Sequence, residues 1–247
     1  MGVYNARGII IRHQNWREAD KLLSIYSEEY GKIKVLAKGA RKITSKLAGS
    51  LEPLILTKVM VARGKNNDTV VGSDVITNFK NTKNSLTKVW LAGWFCHLVN
   101  SSTKEHQKDA RIFQLLLESL HYIEAPEIRA NKLPLVKLYF IWRYLVSLGY
   151  QPELYKCQAC GQQIPPGPNY FSNKRGGVIC MSCHHGLKEG RPISENAMKV
   201  LRLIYTSSLQ EAGRLKLAKE LESELSSLTE DFLNYMLEDK IVSNLSS

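Results

Sequence analysis

A chain of 247 residues, 44% of them hydrophobic, has room for one large domain or two to three small ones. Its longest uncharged apolar run, Val89 to Thr103, is too short to cross a bilayer and ends in polar residues, which excludes a membrane-spanning helix there. The 34 Lys and Arg against 23 Asp and Glu leave a net charge of +11, and residues 1–80 alone carry 14 against 7. Such a field favours a polyanionic partner, nucleic acid before anionic membrane. Arg7 and Arg12 flank only Gly8 to Ile11, so no signal peptide is expected, and Met1-Gly2 is followed by Ala6 where a myristoylation signal needs Ser or Thr. A soluble cytoplasmic protein is expected.

Residues 6–77 read as strands. Arg7 to Gln14 contains the β-branched run Ile9-Ile10-Ile11, and Lys21 to Ser27 is a second apolar run. After the Tyr30-Gly31 turn, Ile33, Val35 and Ala37 alternate with Lys32, Lys34 and Leu36, the period of a half-buried strand. Leu54 to Ala62 and Thr69 to Thr77 follow, separated by the polar turn Arg63 to Asp68. Five short strands with no segment of helical period predict a small closed sheet. An OB-fold, a five-stranded Greek-key barrel, fits the count, and an SH3-like barrel is the other candidate.

The third strand and the loop after it carry Lys32, Lys34, Lys38, Arg41, Lys42 and Lys46 within 15 residues, with no acid between them. Lys32, Lys34 and Lys38 fall on one face of the strand, opposite Ile33, Val35 and Ala37, so the apolar face is expected inside the barrel and the cations in solvent. A row of cations binds the nucleic-acid backbone by releasing condensed counterions and reads no sequence. Trp16, Tyr26 and Tyr30 are candidates for stacking on exposed bases, though aromatics in strands more often serve the core.

From residue 83 the period changes. Leu86, Val89, Trp90, Gly93, Trp94, His97 and Leu98 recur at three and four, which predicts a helix with one broad apolar face and His97 packed on it. Cys96, in the same segment, is expected to be a small core residue. Asp109 is the expected cap of a second helix with Ile112, Leu116, Leu120 and Ile123 on its core face, ended by Pro126. A third helix, Leu133 to Leu148, is apolar nearly all round and is expected to be buried in a bundle, with Gly149 as its stop.

Cys157-Gln-Ala-Cys160 and Cys180-Met-Ser-Cys183 are separated by 19 residues. Each two-residue gap lets one tight turn aim two sulfurs at one ion, and the separation matches a double zinc knuckle. Four cysteines close a tetrahedral shell, so one structural zinc is expected at Cys157, Cys160, Cys180 and Cys183; His184 and His185 are possible replacements for Cys183. Two disulfides or four unpaired thiols are the alternatives. Ser194 caps a following helix bearing Met198, Leu201 and Ile204, and two further helices are expected at about Ala212–Ser226 and Leu228–Glu238.

The domain plan read from these patterns is α+β: an N-terminal five-stranded barrel over residues 1–80, OB-fold before SH3-like, an all-helical domain over 81–150 and 191–247, and a zinc-knuckle insert over 151–190. Gly31-Lys32 and Gly64-Lys65 lack the Ser or Thr of a phosphate-binding loop, and no G-x-G-x-x-G, G-x-S-x-G, H-E-x-x-H or H-x-E occurs. No catalytic residues are assigned, and a binding protein is expected rather than an enzyme; a histidine or water in the metal shell would revive a zinc hydrolase.

Several blocks occur in order along the chain: Gly8-Ile9-Ile10-Ile11-Arg12 with Glu18-Ala19-Asp20 and Leu22-Leu23, Tyr30-Gly31-Lys32-Ile33, and Ala37-Lys38-Gly39-Ala40-Arg41-Lys42 followed by Ser45. Leu148-Gly149-Tyr150 and Pro152 then precede the two cysteine pairs, with Gly176-Gly177-Val178 before the second. In these blocks the chain resembles the bacterial RecO family of DNA repair and recombination mediators. The resemblance implies an OB-fold, a helical domain and a zinc insert. It further implies binding of single- and double-stranded DNA and annealing of complementary strands. Joint action with RecR, and sometimes RecF, to place RecA on strands coated with single-stranded-DNA-binding protein (SSB) is implied as well. Family members bind the acidic, apolar-ended tail of SSB, for which Lys137, Arg143 and Tyr139 or Trp142 on one helix supply suitable residue types. An RNA- or ribosome-associated zinc-containing binding protein is the rival reading.

Overall fold

The computed structural model describes residues 2–45 and 47–245. The chain divides into two compact units, residues 2–130 and 131–243.

The first unit begins with five strands: β1 (Val3–Trp16), β2 (Asp20–Ser27), β3 (Gly31–Ala37), β4 (Leu56–Ala62) and β5 (Thr69–Thr77). They close into a barrel in the order β1-β2-β3-β5-β4, with β1 antiparallel to both β2 and β4 and β3 parallel to β5. Closure rests on one short β3–β5 contact, Leu36 with Thr69, where Leu36 N donates to Asp68 O at 2.8 Å. Ile10, Leu23, Ile25, Ile33, Val35 and Ala37 fill the interior with Val59, Val61 and Val70. A bulge between Ile10 and Arg12 shifts the β1–β2 register, so all three residues of the Ile9–Ile11 run are buried although strict alternation would expose one face.

Three helices belong to the same unit: α1 (Lys80–Lys83), α2 (Leu86–Ser102) and α3 (Ala110–Glu124). The expected helical segment 81–150 is therefore divided, with α2 packed on β1 and only its last part lying in the second unit. The Asp109 carboxylate accepts from Arg111 N at 2.9 Å and caps α3, which stops at Glu124 because Ala125, before Pro126, is extended. The face expected to bury α2 is corrected. Leu86 is 84% and Trp90 62% exposed, and Gly93 and His97 face solvent, while Leu91, Ala92, Phe95, Cys96, Leu98 and Val99 form the core side. Both sides of this helix are apolar, so its period alone could not choose between them.

The second unit is built on α4 (Leu133–Ser147), whose side chains are buried on almost every side. Trp142 joins its layers: Nε1 donates to Thr229 Oγ1 at 2.8 Å, and the ring stacks on Phe232 and meets Phe171 edge-on. The strands of this unit fall in the expected zinc insert, 151–190, and just after it. Strands β6 (Asn169–Ser172), β7 (Gly177–Cys180) and β8 (Arg191–Ile193) form a small antiparallel sheet, with α5 (Met181–Leu187) after β7. Then come α6 (Glu195–Thr206), capped by Ser194, α7 (Leu209–Ala212), closed by a Ser208–Glu211 capping box, and α8 (Lys219–Leu245). The two helices expected at 212–226 and 228–238 are one: Leu225, Leu228, Phe232, Leu233 and Leu237 run through the Ser226-Ser227 pair as a single buried side. No helix among the described residues is long and apolar enough to cross a membrane.

Candidate metal centre and nucleic-acid interface

The first knuckle is a short hairpin in which Lys156 bridges Gln163, Cys157 N donates to Gln162 O at 2.8 Å, and Gly161 N returns to Cys157 O at 2.8 Å. Cys180 ends β7 and caps α5, placing Cys183 in the first helical turn. Gln158 N donates to Val178 O, and the strand segment at Glu153 lies so close to Gly177 that a β-carbon there would meet Glu153 O at 2.4 Å. Only glycine lets the two knuckles meet.

All four sulfurs then lie within 4.8 Å of one another and can hold one metal ion. A tetrahedral thiolate site with bonds of about 2.3 Å sets its sulfurs roughly 3.8 Å apart, so the quartet closes with small side-chain rotations. Burial works against a thiolate at Cys157. The N–H groups of Cys180, Cys160 and Ala159 and the Cys160 thiol outweigh it and bring the group down to about 6. At Cys183, donation to the sulfurs of Cys180 and Cys160 pushes the thiol up to about 12. His184 is turned away from the quartet: Nδ1–H donates to Glu189 O at 2.7 Å and the ring stacks on Tyr170. Cys96 is fully buried and pushed up to about 12 by that burial, an inert core thiol.

The registers place the outward side chains of β1, β2 and β3 in rows. Ile9, Tyr26 and Lys32 form one, Arg12, Ser24 and Lys34 the next, then Gln14, Leu22 and Leu36, and last Trp16 and Asp20. The first row is covered. The loop after α2 crosses the start of β3, where His106 N donates to Lys32 O and a β-carbon on Gly31 would strike Gln107 O at 2.1 Å.

Lys32, expected in solvent, is 7% exposed; its amine donates to Asn100 O at 2.7 Å and to Thr103 O, closing the carbonyl end of α2. Lys34 is exposed but pairs with Glu105 at 2.6 Å, an acid distant in sequence that the same loop delivers. Lys38 and Lys42 are exposed. Arg41 is exposed yet tied: Nη1 donates to Arg17 O and Glu18 O, and its backbone N to Ala19 O. Lys46 lies outside the described residues. Of the stacking candidates, Tyr26 is fully buried and Tyr30 packs edge-on against Tyr4, which leaves Trp16, 39% exposed.

Sequence reasoning missed Arg12 and Glu105. The alternation Arg12, Gln14, Trp16 was available as a signal for the first; nothing local signals the second. The residues expected to receive a partner peptide are otherwise engaged. Tyr139 is buried, Arg143 Nη1 donates to Tyr205 O at 2.8 Å, and Lys137 pairs with Glu230 at 2.9 Å, because α4 is a core helix and its polar tips fasten it to α6 and α8.

Residues 1–79 match the family described as Recombination protein O N terminal, and residues 83–245 match Recombination protein O C terminal. A DNA repair protein RecO of Dehalococcoides mccartyi is 37% identical over 235 residues, covering 95% of this chain and 91% of that one. One from a Roseiflexus species is 33% identical over 236 residues, covering 96% and 82%, and one from Acetivibrio thermocellus is 31% identical over 238, covering 96% and 93%. With both halves matched and this level of identity held nearly end to end, the chain belongs to the RecO family of DNA repair proteins.

Proposed function

We propose that the protein is a cytoplasmic DNA-binding mediator of recombination and repair that anneals complementary strands and, with RecR, helps load RecA onto SSB-coated single-stranded DNA. RecF and the SSB tail are further partners on this reading. Family membership supports the role. The observation that carries the mechanism is the open side of the barrel, where Arg12, Lys38 and Lys42 stand exposed and, among the described residues, pair with no carboxylate. Two DNA strands repel one another; a surface that binds both by counterion release lowers that barrier and makes or breaks no covalent bond. The strand order, with β1 closing against β4 and β3 parallel to β5, supports reading the barrel as an OB-fold, whose second and third strands commonly face nucleic acid.

The metal we assign is one structural zinc held by Cys157, Cys160, Cys180 and Cys183. Four thiolates leave no position for water, so the ion supplies a cross-link and no reaction chemistry.

The test is annealing of SSB-coated complementary strands without nucleotide. Acceleration that fades as salt rises is the expected result. No acceleration, together with tighter binding to structured RNA than to single-stranded DNA, would favour the RNA-associated reading instead.

A further inference from the structure

Beyond Arg12 β1 leaves the core, with residues 12–16 half-buried or exposed, and on β2 only Asp20 to Leu22, before the buried Leu23, share that position. Trp16 pairs with Asp20, and the three-residue loop Arg17-Glu18-Ala19 turns with Arg17 at a φ of 53°. This tip is not loose. Gly39 N donates to Asp20 Oδ1 at 2.8 Å, Arg41 N to Ala19 O at 2.9 Å, and Arg41 Nη1 to Arg17 O and Glu18 O at 3.1 and 2.9 Å. The turn after β3, which carries the open cations Lys38 and Lys42, is thereby fastened to the hairpin that carries the indole. The two segments carry Arg12, Arg17, Lys38, Arg41 and Lys42 as against Glu18 and Asp20, and Asp20 is already engaged by Gly39 N. Among the described residues of the barrel, Trp16 is the exposed aromatic; Tyr26 and Tyr30 are taken by packing.

We infer that Trp16 is a stacking platform for one unpaired base and makes the hairpin tip a single-strand-selective subsite, an inference that rests on the nucleic-acid reading above. An indole stacks on the π-face of any base, so the subsite is indifferent to sequence. Bases inside a duplex are already stacked and offer the tip only their phosphates, which the cations contact in either form of DNA. Arg41 acts as a positioning residue: it holds the tip in place before DNA arrives, so less ordering remains to be done on binding.

The experiment compares Trp16→Ala, Trp16→Phe and the double variant Lys38→Ala/Lys42→Ala with the unaltered protein, on a dT oligonucleotide and on a blunt duplex of equal length, across a salt series. Trp16→Ala should weaken dT binding roughly 5- to 100-fold, keep duplex affinity within about twofold, and leave the salt slope unchanged because it removes no charge. Trp16→Phe should retain most of the dT affinity. The double variant should weaken both ligands and flatten the slope. Equal loss of dT and duplex binding in Trp16→Ala, or no loss of either, would overturn the subsite; if the double variant still weakens both ligands, the basic-face reading survives that failure. Unchanged binding in all three variants would sink both.

Discussion

Lys32 and Lys38 are both lysines of one short basic run, yet their amines have different work. Burial holds the Lys32 amine below its ordinary range, Glu105 partly restores it, and Lys34 lowers it further. Two carbonyls that end α2 depend on that amine. Lys32→Met should therefore lower stability by about 1–3 kcal/mol in chemical denaturation, since it leaves buried acceptors unsatisfied. DNA affinity of the folded variant should change little. Glu105 has the opposite character. Its pair with Lys34 is solvent-exposed and holds the fold only weakly. Glu105→Gln should free Lys34 for a phosphate, tighten DNA binding, and steepen the log–log salt slope by about 0.7–0.9, one counterion's worth. A weaker or unaltered slope in a titration would show that Lys34 does not face DNA.

Short elements here stand on groups borrowed from others. The four-residue α1 cannot hold itself together, and Glu124 at the end of α3 accepts from Asn81 N, Thr82 N and Thr82 Oγ1 at 2.8–2.9 Å. Burial disfavours the Glu124 carboxylate, but those donors outweigh it and hold its pKa below the ordinary value of 4.5. A folded pKa below the unfolded one contributes stability that is present above the ordinary glutamate range and is lost as pH falls through the lowered value. Glu124→Gln should accordingly melt lower than the unaltered protein at about pH 7, and the difference should shrink at about pH 3. An undiminished difference in acid would mean the carboxylate's charge is not what holds α1. The same borrowing accounts for α2, where period marks a helix but packing against β1 decides which apolar side is buried.

Across the molecule, the cysteine quartet and the open cations lie in different units, residues 131–243 and 2–130. Loss of the metal should therefore act on stability before it acts on DNA. Cys157→Ser should reduce the metal found by elemental analysis from one equivalent to none and lower the melting temperature by on the order of 10 °C. Affinity for a dT oligonucleotide should stay within about twofold at temperatures where both proteins are folded. Parallel loss of metal and DNA binding would instead tie the knuckles to the interface.

Reading residues in order was sufficient for everything set by near neighbours. The five strands follow from apolar runs and the turns between them, though β1 runs to Val3 and Trp16, past the expected Arg7 and Gln14; the caps at Asp109 and Ser194 follow from side chains that reach their own helix, and the cysteine quartet from two tight turns and a fixed gap. Each is a local constraint, so a linear reading contains it. The fates of the basic residues were not local. Burial of Lys32 depends on where α2 ends, neutralisation of Lys34 on a loop that brings Glu105 back to β3, and fixation of Arg41 on carbonyls of the neighbouring hairpin. Which of two apolar sides α2 buries is likewise settled by the strand it meets. A charge is free or engaged according to what lies within a few ångströms of it, and for these residues those neighbours are supplied by distant parts of the chain.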